Sequence, residues 1–225
     1  MDQLEEAKAQ WSVFAGVPSQ KDGFTELALA SRRIQLNPGD SLVTQGDGSQ
    51  SVYLLLEGSL KTVRYSKNGH EIWLASFGKG ALIGEMSGLT GAPRSSTVIA
   101  VSQVVALAVD YSEFESAIHS APGFGLRVSK LLAERVRNTS IQLEELATLQ
   151  TSARLHSELF RLGELDATDE ERATIANPPS VSELAVRIHA ARESTSRAVS
   201  YLHKRGFLKK RDDGALDVIS PQSLD

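Results

Sequence analysis

The sequence predicts an α+β chain in three parts: an N-terminal β jelly roll, one long helix, and a C-terminal winged helix-turn-helix. Three observations carry this. Turn residues recur about every ten positions between residues 30 and 109. No proline or glycine interrupts residues 126–162. Two short helical stretches after Ser180 are followed by a hairpin pattern. The expected boundaries are 1–121 for the jelly-roll domain, 122–150 for the long helix and 151–225 for the winged domain.

In the first part, Leu4 to Phe14 and Gly23 to Leu29 read as helices packed on the sheet. Asn37-Pro38-Gly39-Asp40, Gly46-Asp47-Gly48, Gly58, Asn68-Gly69 and Gly78-Lys79-Gly80 mark turns. Between them, Ser51 to Leu56, Leu60 to Tyr65, Glu71 to Phe77 and Thr97 to Val109 are rich in β-branched and aromatic residues. Short strands at this spacing suit a sandwich or jelly roll. The long helix starts at Pro122. Along it Leu132, Val136, Thr139, Leu143, Leu146 and Gln150 alternate spacings of four and three, the seam of two helices packed along their length. A helix covered by its own domain could also show such a stripe; the regular alternation favours a parallel homodimer. Thr139 is the odd member, because a polar residue at a seam costs stability. In the third part, Asn177-Pro178-Pro179 breaks the chain. Gly206 ends the second short helix, and Phe207 to Arg211 and Leu216 to Ile219 flank a two-residue Asp213-Gly214 turn. Val181, Leu184, Ala185, Ile188, Val199 and Leu202 are the expected core of the helix pair.

Composition narrows the chemistry. The 225 residues contain no cysteine, which excludes disulfides, thiolate catalysis and cysteine-held zinc or iron–sulfur clusters. The histidines are scattered, so no metal is expected, and no apolar run is long enough to span a bilayer. The expected location is cytoplasmic, with no membrane contact. Net charge is −4, yet residues 180–211 hold eight basic residues against two acidic ones, a local +6 that leaves −10 elsewhere. Such a patch on a helix-turn-helix with a wing points to double-stranded DNA. Enzyme motifs are lacking: Gly78-Lys79-Gly80 with Gly84 is off the dinucleotide spacing, and Gly84 to Gly88 lacks the nucleophile-elbow order.

The most informative run is Ile83 to Val98. Gly84-Glu85 stands ten residues before Arg94-Ser95, with Gly91 and Pro93 shaping the return. Arg94 offers a forked, permanent charge and Ser95 a hydroxyl for phosphate oxygens, while Glu85 is an acceptor that suits a ribose 2′-hydroxyl. This run resembles the phosphate-binding cassette of cyclic-nucleotide-binding domains. Through the long helix and C-terminal region, the chain is similar to the bacterial cyclic-AMP receptor protein (catabolite activator) family of transcription regulators. The resemblance implies that Thr139 and Ser140 contact the adenine, the serine from the partner subunit. It implies cyclic AMP as the ligand, with cyclic GMP possible because hydroxyls donate or accept. RNA polymerase is the implied protein partner.

On the second short helix, Arg192 and Glu193 are adjacent, Arg197 lies four residues beyond Glu193 on the same face, and the three suit guanine and cytosine edges. The family's Arg-Glu-x-x-x-Arg reads a TGTGA-type half-site, and all three residues match. The alternative is an ordinary Glu193–Arg197 helix bridge. Ser194, Ser196, Lys204, Lys209 and Lys210 are candidate phosphate contacts. His189 stands where the family's turn holds glycine, which puts that turn's geometry in question; a pH switch there competes with an ordinary turn residue. A DNA-binding regulator with an idle cassette is the remaining alternative reading.

Overall fold

The computed structural model describes residues 3–16, 24–66, 68–69, 71–166 and 169–220. Two compact units divide the chain, Met1–Val136 and Arg137–Asp225.

The first unit opens with α1 (Gln3–Ala15) and α2 (Phe24–Ala30). The strands follow: β1 (Arg32–Leu36), β2 (Ser41–Val43), β3 (Val52–Glu57), β4 (Leu60–Tyr65), β5 (Glu71–Phe77) and β6 (Leu82–Ile83). After α3 (Glu85–Thr90) come β7 (Thr97–Ala100), β8 (Val104–Val109), α4 (Tyr111–Ser120) and α5 (Pro122–Thr148), the last continuing into the second unit. Two antiparallel sheets, in the orders β1-β8-β3-β6 and β2-β7-β4-β5, form the predicted jelly roll. The composition of β3 and β8 follows from their position. Leu55, Val104 and Ala106 face the opposing sheet with Leu60, Val98 and Ala100, while Leu54, Leu56 and Leu107 bury against the helices. A strand covered on both faces reads as a continuous apolar run. Over the helical side, Phe124 sits edge-on to Trp11, Phe14, Phe24 and Phe114 at centroid distances of 5.3–6.0 Å.

Residues 97–109 differ from the single predicted run. Ser102 turns the chain by accepting from the Ser59 amide at 3.0 Å, and the two halves join opposite sheets. The start of the predicted second helix, Gly23, lies outside the described residues.

The second unit contains α6 (Thr151–Leu162), β9 (Glu164–Asp166), β10 (Asp169–Ile175), α7 (Val181–Arg187), α8 (Arg192–Lys204), β11 (Leu208–Lys210) and β12 (Leu216–Ile219). Its core joins Leu155 and Leu159 to Leu184, Ile188, Ala198, Leu202, Leu208, Leu216 and Val218. Val181 and Val199, expected in this core, are only half-buried. The wing is one half of a four-stranded sheet, β11-β12-β10-β9. Its turn is longer than predicted: Gly214, at φ 90°, donates to the Arg211 carbonyl, and Arg211 donates to Ala215. Three residues, not two, therefore lie inside the hairpin.

The uninterrupted stretch 126–162 is bent. Gln150 is extended at φ −69°, ψ 160°, between α5 and α6. Charged side chains hold this corner where no breaker residue stands. Arg154 donates to the Leu149 carbonyl at 3.0 Å, and Arg161 grips both Glu145 oxygens at 2.8 and 3.0 Å. Burial opposes the Arg161 charge, but Glu145 and Glu158 raise its pKa above the ordinary arginine value. Glu158 also meets Arg187 on α7, which reaches Glu183. Arg161→Ala should free the corner, and limited thermolysin digestion should cut near Leu149 about two- to fivefold faster, the scale of a partly exposed ion pair.

His189 is, among the described residues, the only non-glycine with positive φ, at 52°. The turn thus keeps the left-handed geometry that glycine favours, and histidine bears the strain. Burial, and then Arg154, lower the His189 pKa below its ordinary value, against an opposing pull from Glu158. A depressed folded pKa stabilises the fold above the unfolded value near 6.5, and that contribution is lost as pH falls toward the folded value. Asparagine, which tolerates this backbone region, carries no such charge. Denaturant midpoints at pH 7.5 and 5.5 should differ less for His189→Asn than for the parent.

Candidate functional site

In the jelly roll, Gly84 and Glu85 sit where β6 passes into α3. Gly84 has φ 90°, and a β-carbon there would lie 2.5 Å from Arg94 Nη1 and 2.7 Å from the Ser51 carbonyl. Glycine is thus needed both for the backbone turn and for the approach of Arg94. The Arg94 guanidinium, 3% exposed, donates to the Gly84 carbonyl at 2.9 Å, the Ser51 carbonyl at 2.6 Å and Ser49 Oγ at 3.2 Å. The Tyr53 ring flanks it at 5.9 Å. Its backbone is laced to the Gly46-Asp47 turn: Arg94 donates to the Asp47 carbonyl, and Gly46 donates to the Arg94 carbonyl. Burial lowers the Arg94 pKa, with Tyr53, Glu85 and Asp47 opposing. At Gly88 a β-carbon would fall 2.0 Å from Tyr111 Cδ2, so the close seating of α3 also depends on glycine.

Glu85 is 1% exposed and pairs with Arg135 of α5. Burial raises its pKa, opposed first by Arg135 and then by its own backbone amide and by Arg94. Arg135 also donates to the Leu82 carbonyl, and its guanidinium lies 5.0 Å from the Phe77 ring centre. The sequence reading missed Arg135. Its signal was position, one helical turn before Thr139. Gly84, Glu85 and Arg94 therefore come together with Arg135, and Ser95 follows as an exposed residue. A cluster of this kind presents fixed positive charge beside a carboxylate that still has acceptor sites, the complement of a phosphate next to a hydroxyl.

Thr139 and Ser140 lie on α5, within the second unit, and are exposed. Along the seam, Val136, Leu143 and Leu146 are 68%, 66% and 44% exposed in the single chain.

On α8, Thr195, Ala198 and Leu202 form the buried side, which leaves Arg192, Glu193, Arg197 and Lys204 exposed and Ser194 half-buried. Arg197 donates to Ser194 Oγ at 3.2 Å, and among the described residues no ion pair joins it to Glu193. Of the basic segment, Arg187 is part of the scaffold, fixed by Glu158 and Glu183, and Arg211 pairs with Asp213 and Asp217. Arg205, Lys209 and Lys210 remain exposed. Among the described residues, no group of three or more potential ligands could hold a metal ion, and no helix is long and apolar enough to cross a membrane.

Residues 33–121 match the cyclic nucleotide-binding domain. The chain is 25% identical over 212 residues to the CRP-like cAMP-activated global transcriptional regulator of Mycobacterium tuberculosis, covering 92% of each. It is 32% identical over 138 residues to the cyclic AMP receptor protein of Thermus thermophilus, covering 61% of this chain and 64% of that protein. Among solved structures, the c-di-GMP responsive global regulator CLP of Xanthomonas campestris superposes with a TM-score of 0.71 at 20% identity, over 88% of this chain and 98% of that one. At that identity the likeness concerns the fold, and one fold can serve different ligands.

Proposed function

Because the chain belongs to the cyclic-AMP receptor protein (catabolite activator) family, whose members are transcription regulators and not enzymes, we propose that it is a cyclic-AMP-dependent regulator reading a TGTGA-type palindrome as a homodimer. A cyclic-nucleotide-binding, DNA-binding transcription regulator is the common ground with its relatives. The ligand, the roles of individual residues and the DNA site are the finer reading.

In that reading Arg94 and Ser95 hold the exocyclic phosphate oxygens. Glu85, paired with Arg135, accepts from the ribose 2′-hydroxyl, and Gly84 makes room for the Arg94 fork. Thr139 and Ser140 are assigned to the base by the family resemblance. The exposed apolar seam of α5 is covered by a second copy of the chain, which removes Val136, Leu143 and Leu146 from water. Arg192, Glu193 and Arg197 read base edges, and Ser194 and Lys204 hold phosphates. Two such helices reach successive major grooves. RNA polymerase is the protein partner, in the cytoplasm. One observation carries the reading: a buried, permanently charged arginine beside the buried carboxylate of Glu85, which half-buried Arg135 pairs, at a turn that only glycine allows.

Ligand binding acts on DNA affinity only if it favours one conformational state. The test is fluorescence anisotropy of a labelled TGTGA palindrome at fixed salt, without nucleotide, with cyclic AMP and with cyclic GMP. Tight binding only with cyclic AMP is expected. Equal binding in all three would leave the DNA reader standing and make the cassette idle. A response to cyclic GMP alone would transfer the gate to guanine.

A further inference from the structure

A buried hydroxyl on β4 lies outside every role assigned so far. Thr62 is 6% exposed, and its Oγ1 has no hydrogen-bond partner among the described residues. Its direction follows from register. Thr62 stands opposite Val98 on β7 and Ala75 on β5. Residues directly opposite in an antiparallel pair share a face of the sheet. Val98 belongs to the core between the two sheets, as does Leu60, two positions before Thr62 on the same strand. The hydroxyl is therefore aimed into the jelly-roll interior, next to the small side chain of Ala75.

Its place relative to the cassette also follows from register. Val98 is three residues beyond Ser95, across the Ser95-Ser96 bend that precedes β7, so the two α-carbons lie no more than about 11 Å apart. A nucleotide held by its phosphate on Arg94 and Ser95 is long enough to bring another of its polar groups to Thr62.

A buried hydroxyl without a partner costs free energy, and the cost is met when a polar group arrives in its place. Valine has nearly the same shape and would fill this position without that cost. We infer that Thr62 is a base-contacting, specificity-determining residue, hydrogen-bonding the polar edge of the adenine of cyclic AMP. This rests on the jelly roll being a cyclic-nucleotide site. The hydroxyl serves as donor to a ring nitrogen or acceptor from an amino group, so it adds a purine contact from within the ligand's own subunit.

The experiment is isothermal titration calorimetry of the full-length protein with cyclic AMP and cyclic GMP, using the parent, Thr62→Val and Thr62→Ser. Thr62→Val should bind cyclic AMP about five- to tenfold more weakly, the scale of one hydrogen bond. Thr62→Ser should stay within about twofold of the parent, because it keeps the hydroxyl. Without nucleotide, Thr62→Val should melt at least as high as the parent, since an unpartnered buried group has been replaced by an apolar one of similar shape. Opposite signs on stability and affinity separate ligand contact from mere packing. Parent-like cyclic AMP affinity in Thr62→Val would overturn the inference, as would a loss confined to cyclic GMP. A parent that binds neither nucleotide would overturn the pocket reading itself, before any variant is compared.

Discussion

Arg94→Leu is expected to abolish cyclic-AMP binding, with an affinity loss of at least about a hundredfold. Two charge-assisted hydrogen bonds to phosphate oxygens at about 1.5–3 kcal/mol each supply that much. The guanidinium is already desolvated in the folded chain and already aimed by Ser49, Ser51 and Gly84, so little reorganisation is left to oppose binding. Leucine also strips the Gly84 and Ser51 carbonyls of their donor, and an unpaired buried acceptor costs about 1–3 kcal/mol. The variant should therefore melt lower as well as bind poorly. Arg94→Lys separates the two effects: it retains a charge but loses the planar fork, and should bind measurably yet far more weakly than the parent. Calorimetric titration alongside thermal melting checks both. A cooperatively folded Arg94→Leu protein with unchanged affinity would remove Arg94 from the site.

The parts legible in the sequence were those where one local rule decides. In β3, Val-Tyr-Leu-Leu-Leu between Gly48 and Gly58 can satisfy its apolar content only inside a sheet. Leu60–Tyr65 and Glu71–Phe77 were bounded correctly because glycine turns close them. Polar β1 and β10 carried no such pattern. Arg32–Leu36 is mostly exposed, and Asp169–Ile175 is acidic at its start and ordered by pairing with β12 and by burial of Ala173 and Ile175. Propensity yields to tertiary contact at such places. No proline or glycine marks the corner at Gln150; Arg154 and Arg161 make it from a distance. The site divides in the same way. Gly84, Glu85 and Arg94 announce themselves by spacing, whereas Arg135 acts on Glu85 across fifty positions, and an unpartnered hydroxyl such as Thr62 is visible only when its neighbours are known.

Glu193→Ala should relax discrimination at one base pair of the half-site by about 1–3 kcal/mol, roughly five- to 160-fold. The carboxylate is exposed on α8 and carries no ion pair to Arg197 among the described residues, so its charge is available to a cytosine amino group. A cation that only holds phosphate behaves differently. Lys204→Ala should weaken binding to all sequences alike and reduce the slope of log affinity against log salt by about one. Anisotropy titrations over a set of half-sites, each substituted at one base pair and run at several salt concentrations, resolve both effects at once. A base reader changes the ranking of sites at constant slope, and a phosphate contact changes the slope at constant ranking. If Glu193→Ala changed neither, its carboxylate would be a helix-surface group, and the exposed arginines Arg192 and Arg197 would have to carry the sequence reading alone.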